Sequence, residues 1–167
     1  IRTIIPLQNF NIPRSLKKFL SQSNFIYKYD TQTLRVIEEC SKRESTWISK
    51  ELKEAYKGLL LRGHLHSVEV ILNDELVGGL YGVTYKGAFF GESMFHLIPD
   101  ASKAALLYLV AFCKQQHFGY IDNQVTNDHL LSLGSTEISR SSYLELLACS
   151  NQGHTLRGKW TGYAAVL

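Results

Sequence analysis

No apolar run in the 167-residue sequence is long enough to cross a bilayer, and the first residues carry no signal-peptide pattern. Neither a membrane helix nor export is therefore expected. Cysteine is scarce. Cys40, Cys113 and Cys149 are odd in number, widely spaced and without metal-ligand spacing, which argues against a disulfide framework and suits reduced thiols in the cytoplasm. His64 and His66 stand two apart, but no further ligand is spaced to complete a site with them, so no metal is expected. No internal repeat, low-complexity segment or glycine-rich phosphate loop appears. What remains is ordinary for a soluble globular protein: 45% hydrophobic residues and 20% charged ones, in a length that suits one domain with its own core.

The net charge of +3 hides an asymmetry. Residues 1–62 hold 12 Lys and Arg against 6 Asp and Glu, whereas residues 63–167 hold 6 against 9. A basic front half ahead of an acidic back half suits a protein that holds a polyanion on one side and a cationic substrate on the other. A charge split with no partner remains open on this pattern alone. We divide the single expected domain into a basic entry segment (1–62), a core (63–149) and a C-terminal tail (150–167) whose role the pattern does not reveal.

Residues 2–13 read as extended. Arg14 to Leu20 reads as a short helix with Arg14, Lys17 and Lys18 on one face, either a phosphate contact or a solvated surface. A strand is expected at 25–29, an amphipathic helix from Thr31 to Ser41, and a helix capped by Ser49 and ended by Gly63. Trp47 precedes that cap on a connecting segment, where it could stack on a base or plug a core edge. Strands at 67–72, 76–85 and 88–95 form a three-stranded antiparallel meander, turned at Asn73–Glu75 and Gly87. Asp100 could cap the next helix, which is apolar on almost every face and therefore buried. A strand at 120–125, a short helix at 127–133, a strand near Glu137 and a helix at 142–149 come next. This order gives a mixed α/β domain.

Two places carry possible chemistry. The hairpin 78–96 has glycines at 78, 79, 82, 87 and 91, which suggests a close approach to its backbone or a bend. Glu92 stands there among Phe89, Phe90, Met94 and Phe95, either on an apolar wall or pointing to water. In the strand at 120–125, Asp122 and Gln124 are two apart and should share a face. A carboxylate beside an amide can orient and deprotonate an amine or hold an oxyanion, though a solvated strand end fits the same pattern.

At these residues the sequence resembles a known family. Gly78-Gly79-Leu80-Tyr81-Gly82, Phe90-Gly91-Glu92-Ser93-Met94-Phe95, Ala101-Ser102-Lys103 and Ile121-Asp122-Asn123-Gln124-Val125 stand in order. Leu131-Ser132-Leu133-Gly134 and Glu137-Ile138-Ser139-Arg140 come after them, while Thr46-Trp47-Ile48 and the run from Gly63 to Val70 precede them. Over about residues 2–145 the chain closely resembles the leucyl/phenylalanyl-tRNA–protein transferases. That resemblance implies an acyl-CoA N-acyltransferase (GNAT)-like domain with an antiparallel-rich mixed sheet and flanking helices. It also implies transfer of Leu or Phe from aminoacyl-tRNA to proteins with N-terminal Arg or Lys, marking them for degradation, without metal or coenzyme. By the same resemblance Asp122 and Gln124 are catalytic, Glu92 faces the cationic acceptor, and Trp47 stacks near the terminal adenosine. Leu80, Phe89, Gly91, Met94, Leu106, Leu109 and Ile121 would line the aminoacyl pocket, and Arg14, Lys17 and Lys18 would contact the tRNA backbone. A cytoplasmic monomer is expected.

The sequence departs from the family in two respects. The chain opens at Ile1 without the family's N-terminal Gly-x-Phe-Pro-Trp and Trp-Trp-Ser motifs, which supply a second aromatic for the adenosine and part of the acceptor surface. Asn123 replaces a common cysteine, and its side chain should face away from the site. A non-catalytic or weakly active homologue that binds tRNA or N-terminal peptides is therefore an alternative. A coenzyme A-dependent N-acetyltransferase is another, although residues 96–103 offer no glycine turn for a pyrophosphate and place Asp100 where one would sit.

Overall fold

The computed structural model describes residues 1–10, 12–42, 45–150 and 155–164. Its strands are β1 (Arg2–Pro6), β2 (Ile26–Tyr29), β3 (Leu65–Leu72), β4 (Glu75–Tyr85), β5 (Ala88–His96), β6 (Tyr120–Gln124) and β7 (Thr136–Ile138). Its helices are α1 (Arg14–Gln22), α2 (Thr33–Ser41), α3 (Lys50–Leu61), α4 (Ala101–Gln115), α5 (Asp128–Ser132) and α6 (Arg140–Ser150). The seven strands form one sheet in the order β2-β3-β4-β5-β6-β1-β7, and of its pairings only β5–β6 is parallel. The mixed α/β, antiparallel-rich architecture with flanking helices is therefore present.

The meander forms where expected, and its turns show why. Asn73 and Asp74 both have positive φ (51° and 63°), the geometry of the two-residue turns that match strand twist. Three of the hairpin glycines, Gly78, Gly79 and Gly82, are explained by the protein's own packing, and Gly87 by its positive φ in the turn. A Cβ on Gly78 would lie 2.6 Å from the Cβ of Ala101 in α4, and one on Gly82 would lie 2.5 Å from the Phe89 ring.

The two faces of the sheet bury separate clusters. On one, α4 covers Val68, Val70, Leu80, Phe89 and Ile121, joined by Leu16 and Leu20 from α1. On the other, α2 and α3 bring Val36, Ile37 and Tyr56 against Leu65, Ile71, Tyr81 and Phe95. Each such large side chain contributes roughly 1.5–3 kcal/mol on burial. The tail is part of this core. Trp160 is fully buried, stacked on His66 at 3.8 Å and Phe112 at 4.2 Å, and its backbone N–H donates to Asp30 Oδ2. His66 Nδ1 lies 2.8 Å from the same oxygen, so this histidine is a core residue. The tail residues 151–154 and 165–167 lie outside the described residues.

Three local readings need correction. Beyond Pro6 the chain leaves the sheet in a 3-10 turn at Leu7–Asn9, so 2–13 is not one extended run. The second helix begins at Thr33 rather than Thr31, because the Thr31 N–H and hydroxyl both donate to the buried Glu69 carboxylate. Asp100 does not cap α4. Its backbone is left-handed (φ 64°) and its carboxylate instead pairs with Lys103 at 2.6 Å. Among the described residues no helix is long and apolar enough to cross a membrane.

Candidate functional site at the divergence of two strands

Parallel pairing of β5 with β6 covers only Ala88–Phe90 against Tyr120–Asp122. Beyond that last rung β5 runs on to His96 while β6 ends, and the strands part. The gap is bridged by the Gln124 side chain, whose Nε2 donates to the Gly91 carbonyl at 2.8 Å. A cavity of about 860 Å³ opens here. Leu80, Phe89, Gly91, Met94, Leu106, Leu109 and Ile121 all line it, so β4, β5, β6 and α4 converge on one apolar hollow. Its rim holds Trp47, Glu92, Asn123, Asn127 and the Asp100–Lys103 pair. Trp47, 55% exposed, lies on the segment before α3.

Glu92 owes its placement to an irregularity. Gly82 pairs with Gly91 and Tyr81 with Ser93, which leaves Glu92 as the extra residue of a β-bulge. Bulges re-aim side chains, and this one brings Glu92 to the cavity and within reach of α3. Tyr56 donates its hydroxyl to Glu92 Oε2 at 2.7 Å. Burial first, and then the hydrogen bond to Glu92, raise the Tyr56 phenol well above its ordinary range, so it stays a donor. Tyr56 is the one hydrogen-bond partner of the Glu92 side chain among the described residues.

A second bulge lies in β6. Thr3 pairs with Gln124 and Ile4 with Asp122, leaving Asn123 extra. Asn123 lines the cavity with Ile121 and Val125, and its Nδ2 donates to Ser135 Oγ at 2.7 Å. The expectation that Asn123 faces away is corrected. Asp122 is on the opposite side of the sheet, fully buried, with Tyr120 and Tyr143 nearby. Its Oδ1 accepts from Arg2 Nε at 2.9 Å and from the Gln124 backbone N–H at 2.8 Å. Its Oδ2 accepts from Arg2 Nη2 at 2.8 Å and from the Tyr143 hydroxyl at 2.6 Å. The Arg2 guanidinium also lies 5.2 Å from the centre of the Tyr143 ring. The hydrogen bond to Asp122 raises Arg2 further above its ordinary value, and burial followed by the same carboxylate raises the Tyr143 phenol. Asp122 and Gln124 are thus linked through the backbone rather than side by side. Gln124 has φ +67°, a left-handed conformation that is uncommon outside glycine.

Arg14, Lys17 and Lys18 are exposed on α1. A smaller hollow of about 300 Å³, lined by Pro13, Ser15, Leu16, Phe19, Ser132 and Leu133, shares Asp100 and Lys103 with the main cavity. The basic helix and the apolar cavity are therefore neighbours. Sequence reasoning does not find Arg2, Tyr56 and Tyr143, since each meets its carboxylate from a distant element and no local pattern marks it. Among the described residues no group of three or more His, Cys, Asp or Glu is placed to hold a metal ion.

A meander, a buried crossover helix and a parallel strand that diverges over a cleft make this an antiparallel-rich mixed α/β domain with its candidate site at a strand divergence. More narrowly, residues 4–148 match the sequence model of the leucyl/phenylalanyl-tRNA protein transferases, and the chain belongs to that family. It is 45% identical over 150 residues to the leucyl/phenylalanyl-tRNA--protein transferase of Rhodopseudomonas palustris (strain BisB18), covering 87% of this chain and 65% of that protein. It is 44% identical over 168 residues to the enzyme of the same name from Azoarcus sp. (strain BH72), covering 98% of this chain and 72% of that one. The chain thus spans about two thirds of the length of these relatives. Among solved structures, L-PGS from Bacillus licheniformis superposes with a TM-score of 0.52 at 13% identity, over 95% of this chain and 57% of that one. That likeness is one of fold alone.

Proposed function

We propose that this chain transfers leucine or phenylalanine from aminoacyl-tRNA to the N-terminal Arg or Lys of acceptor proteins, in the cytoplasm, as a monomer. The observation that carries this reading is the cavity itself. A cavity of about 860 Å³ with an apolar wall of Leu80, Phe89, Met94, Leu106, Leu109 and Ile121, roomy enough to admit a Leu or Phe side chain, has a carboxylate, Glu92, and an exposed indole, Trp47, on its rim. An apolar pocket selects the aminoacyl side chain by burial. Glu92 receives the cationic acceptor residue, since a carboxylate with a single neutral partner gains most from a guanidinium or ammonium. Trp47 stacks on the terminal adenine, at roughly 1–3 kcal/mol for a base on an aromatic ring. Arg14, Lys17 and Lys18 contact tRNA phosphates.

The reaction is attack of the acceptor's α-amine on the ester carbonyl, with the tRNA 3′-terminal ribose oxygen leaving. The ester is already activated, so no coenzyme is required. Gln124, whose side-chain amide is tied to the Gly91 carbonyl where the strands part, orients the amine or the developing oxyanion. The test is direct: the purified 167-residue chain, given Phe-tRNA or Leu-tRNA and an Arg-initiated peptide, should produce the extended peptide in multiple turnovers. Binding of both substrates with no extended peptide would instead favour a non-catalytic homologue.

A further inference from the structure

We infer that Arg2 and Tyr143 are positioning residues, which clamp Asp122 so that it fixes the backbone of Gln124 and exchanges no proton with substrate. This rests on the role proposed for Gln124 in transfer. The support is the set of bonds around one carboxylate. Asp122 has no exposed surface, and each of its oxygens accepts from at least two donors: Arg2 Nε and the Gln124 N–H on Oδ1, Arg2 Nη2 and the Tyr143 hydroxyl on Oδ2. A carboxylate offers about four acceptor positions. None is left for an incoming ammonium, and the carboxylate stands behind the strand rather than in the cavity.

That spent capacity has one structural consequence. The Gln124 N–H bonded to Asp122 belongs to the residue with φ +67°. Such a conformation persists where surrounding structure over-determines it. Arg2 from β1 and Tyr143 from α6 grip Asp122 from two elements distant in sequence, and Asp122 passes that rigidity to Gln124. The other titratable group beside the cluster is Tyr120, which shares the buried face with Tyr143. The arrangement is a support for a strained backbone, of the kind that preorganised sites need behind the groups that touch substrate.

Two measurements on the whole chain test this. Tyr143→Phe deletes one donor and keeps the ring beside Arg2, so folding should survive. Its kcat for transfer should fall roughly tenfold to a hundredfold through misplacement of Gln124. KM for both substrates should stay near wild type, and the pH midpoints of kcat should not move. A carboxylate that titrates during catalysis would shift the profile on losing a donor, so a displaced midpoint overturns the inference, as does an unchanged kcat. The second readout needs no activity: hydrogen exchange of the peptide spanning residues 120–125. The Gln124 amide should be protected in wild type and exchange at least about tenfold faster in Tyr143→Phe and in Arg2→Lys. Equal protection in all three proteins overturns the clamp. Lost protection in a chain whose wild type transfers nothing would uphold the clamp and sink the functional reading instead.

Discussion

Glu92 and Asp122 are both carboxylates on bulged strands beside the same opening, yet their surroundings are opposite. Glu92 accepts one bond, from Tyr56, and lines the cavity. Asp122 is fully buried and held by Arg2, Tyr143 and the Gln124 backbone, away from the cavity. A carboxylate's availability to a ligand is set by the acceptor positions its neighbours leave open, and by that measure Glu92 is open to a cation while Asp122 is not. The family resemblance attaches importance to both residues. Only the geometry separates their work.

The comparison is broken most severely at Asp122. Asp122→Ala leaves the Arg2 guanidinium and Tyr143 hydroxyl without their acceptor and frees Gln124. Removing one partner of a buried pair costs about 3–5 kcal/mol, here less because the Arg2 side chain is 33% exposed, so about 2–3 kcal/mol is expected from urea midpoints. Transfer at saturating substrates should fall roughly 10²-fold or more through misplacement of Gln124. Wild-type turnover in a stably folded variant would place the chemistry elsewhere.

A third carboxylate sharpens the contrast as a control. Glu69 is buried under α2, accepting from Thr31 and Ser67. Burial raises its carboxyl above the ordinary value against the pull of those hydrogen bonds. With the folded value above the unfolded one, its contribution is fully present at low pH and is lost as pH rises through the raised value. Glu69→Gln should therefore gain stability relative to wild type as pH climbs from the ordinary carboxylate range up through the raised value, with a slope of at most about 1.4 kcal/mol per pH step for one proton. A gap that does not depend on pH would contradict this. Transfer should be unaffected, because Glu69 lies outside the cleft.

The smallest effect is expected on α1. Replacing Arg14, Lys17 and Lys18 by alanine should weaken every tRNA by a similar factor and keep the Leu/Phe preference. Each cation withdrawn from a phosphate lowers the slope of log K against log salt by roughly 0.7–0.9. An unchanged slope would leave this face merely solvated.

The seven pocket residues rested on the family resemblance alone, whereas the meander and the buried α4 were legible because alternation and helical periodicity survive over most of their length. The two bulges were not. Period-two reading assumes one partner per residue, so the extra Glu92 and Asn123 invert the face of the residues beyond them. Asn123 lines the cavity because it shares a face with Ile121 two residues before it, which leaves Asp122 between them on the other side. The place of β1 between β6 and β7 was also hidden, since pairing over more than a hundred residues leaves no local mark. Trp160 gave no sign of its depth: an aromatic in a polar, Gly-containing tail carries no periodicity, yet it is buried in the core of one sheet face.

The division of labour between the two carboxylates is tested most directly by the acceptor's charge. Peptides starting with arginine and with citrulline, its neutral near-isostere, can be compared in transfer from the same Phe-tRNA by wild type and Glu92→Gln. Wild type should favour arginine by about tenfold or more in kcat/KM, the range of a charge-assisted hydrogen bond. Glu92→Gln should lose most of that preference while its KM for Phe-tRNA stays within about twofold. A preference for arginine that survives intact in Glu92→Gln would contradict the account and move the cation's partner to another residue.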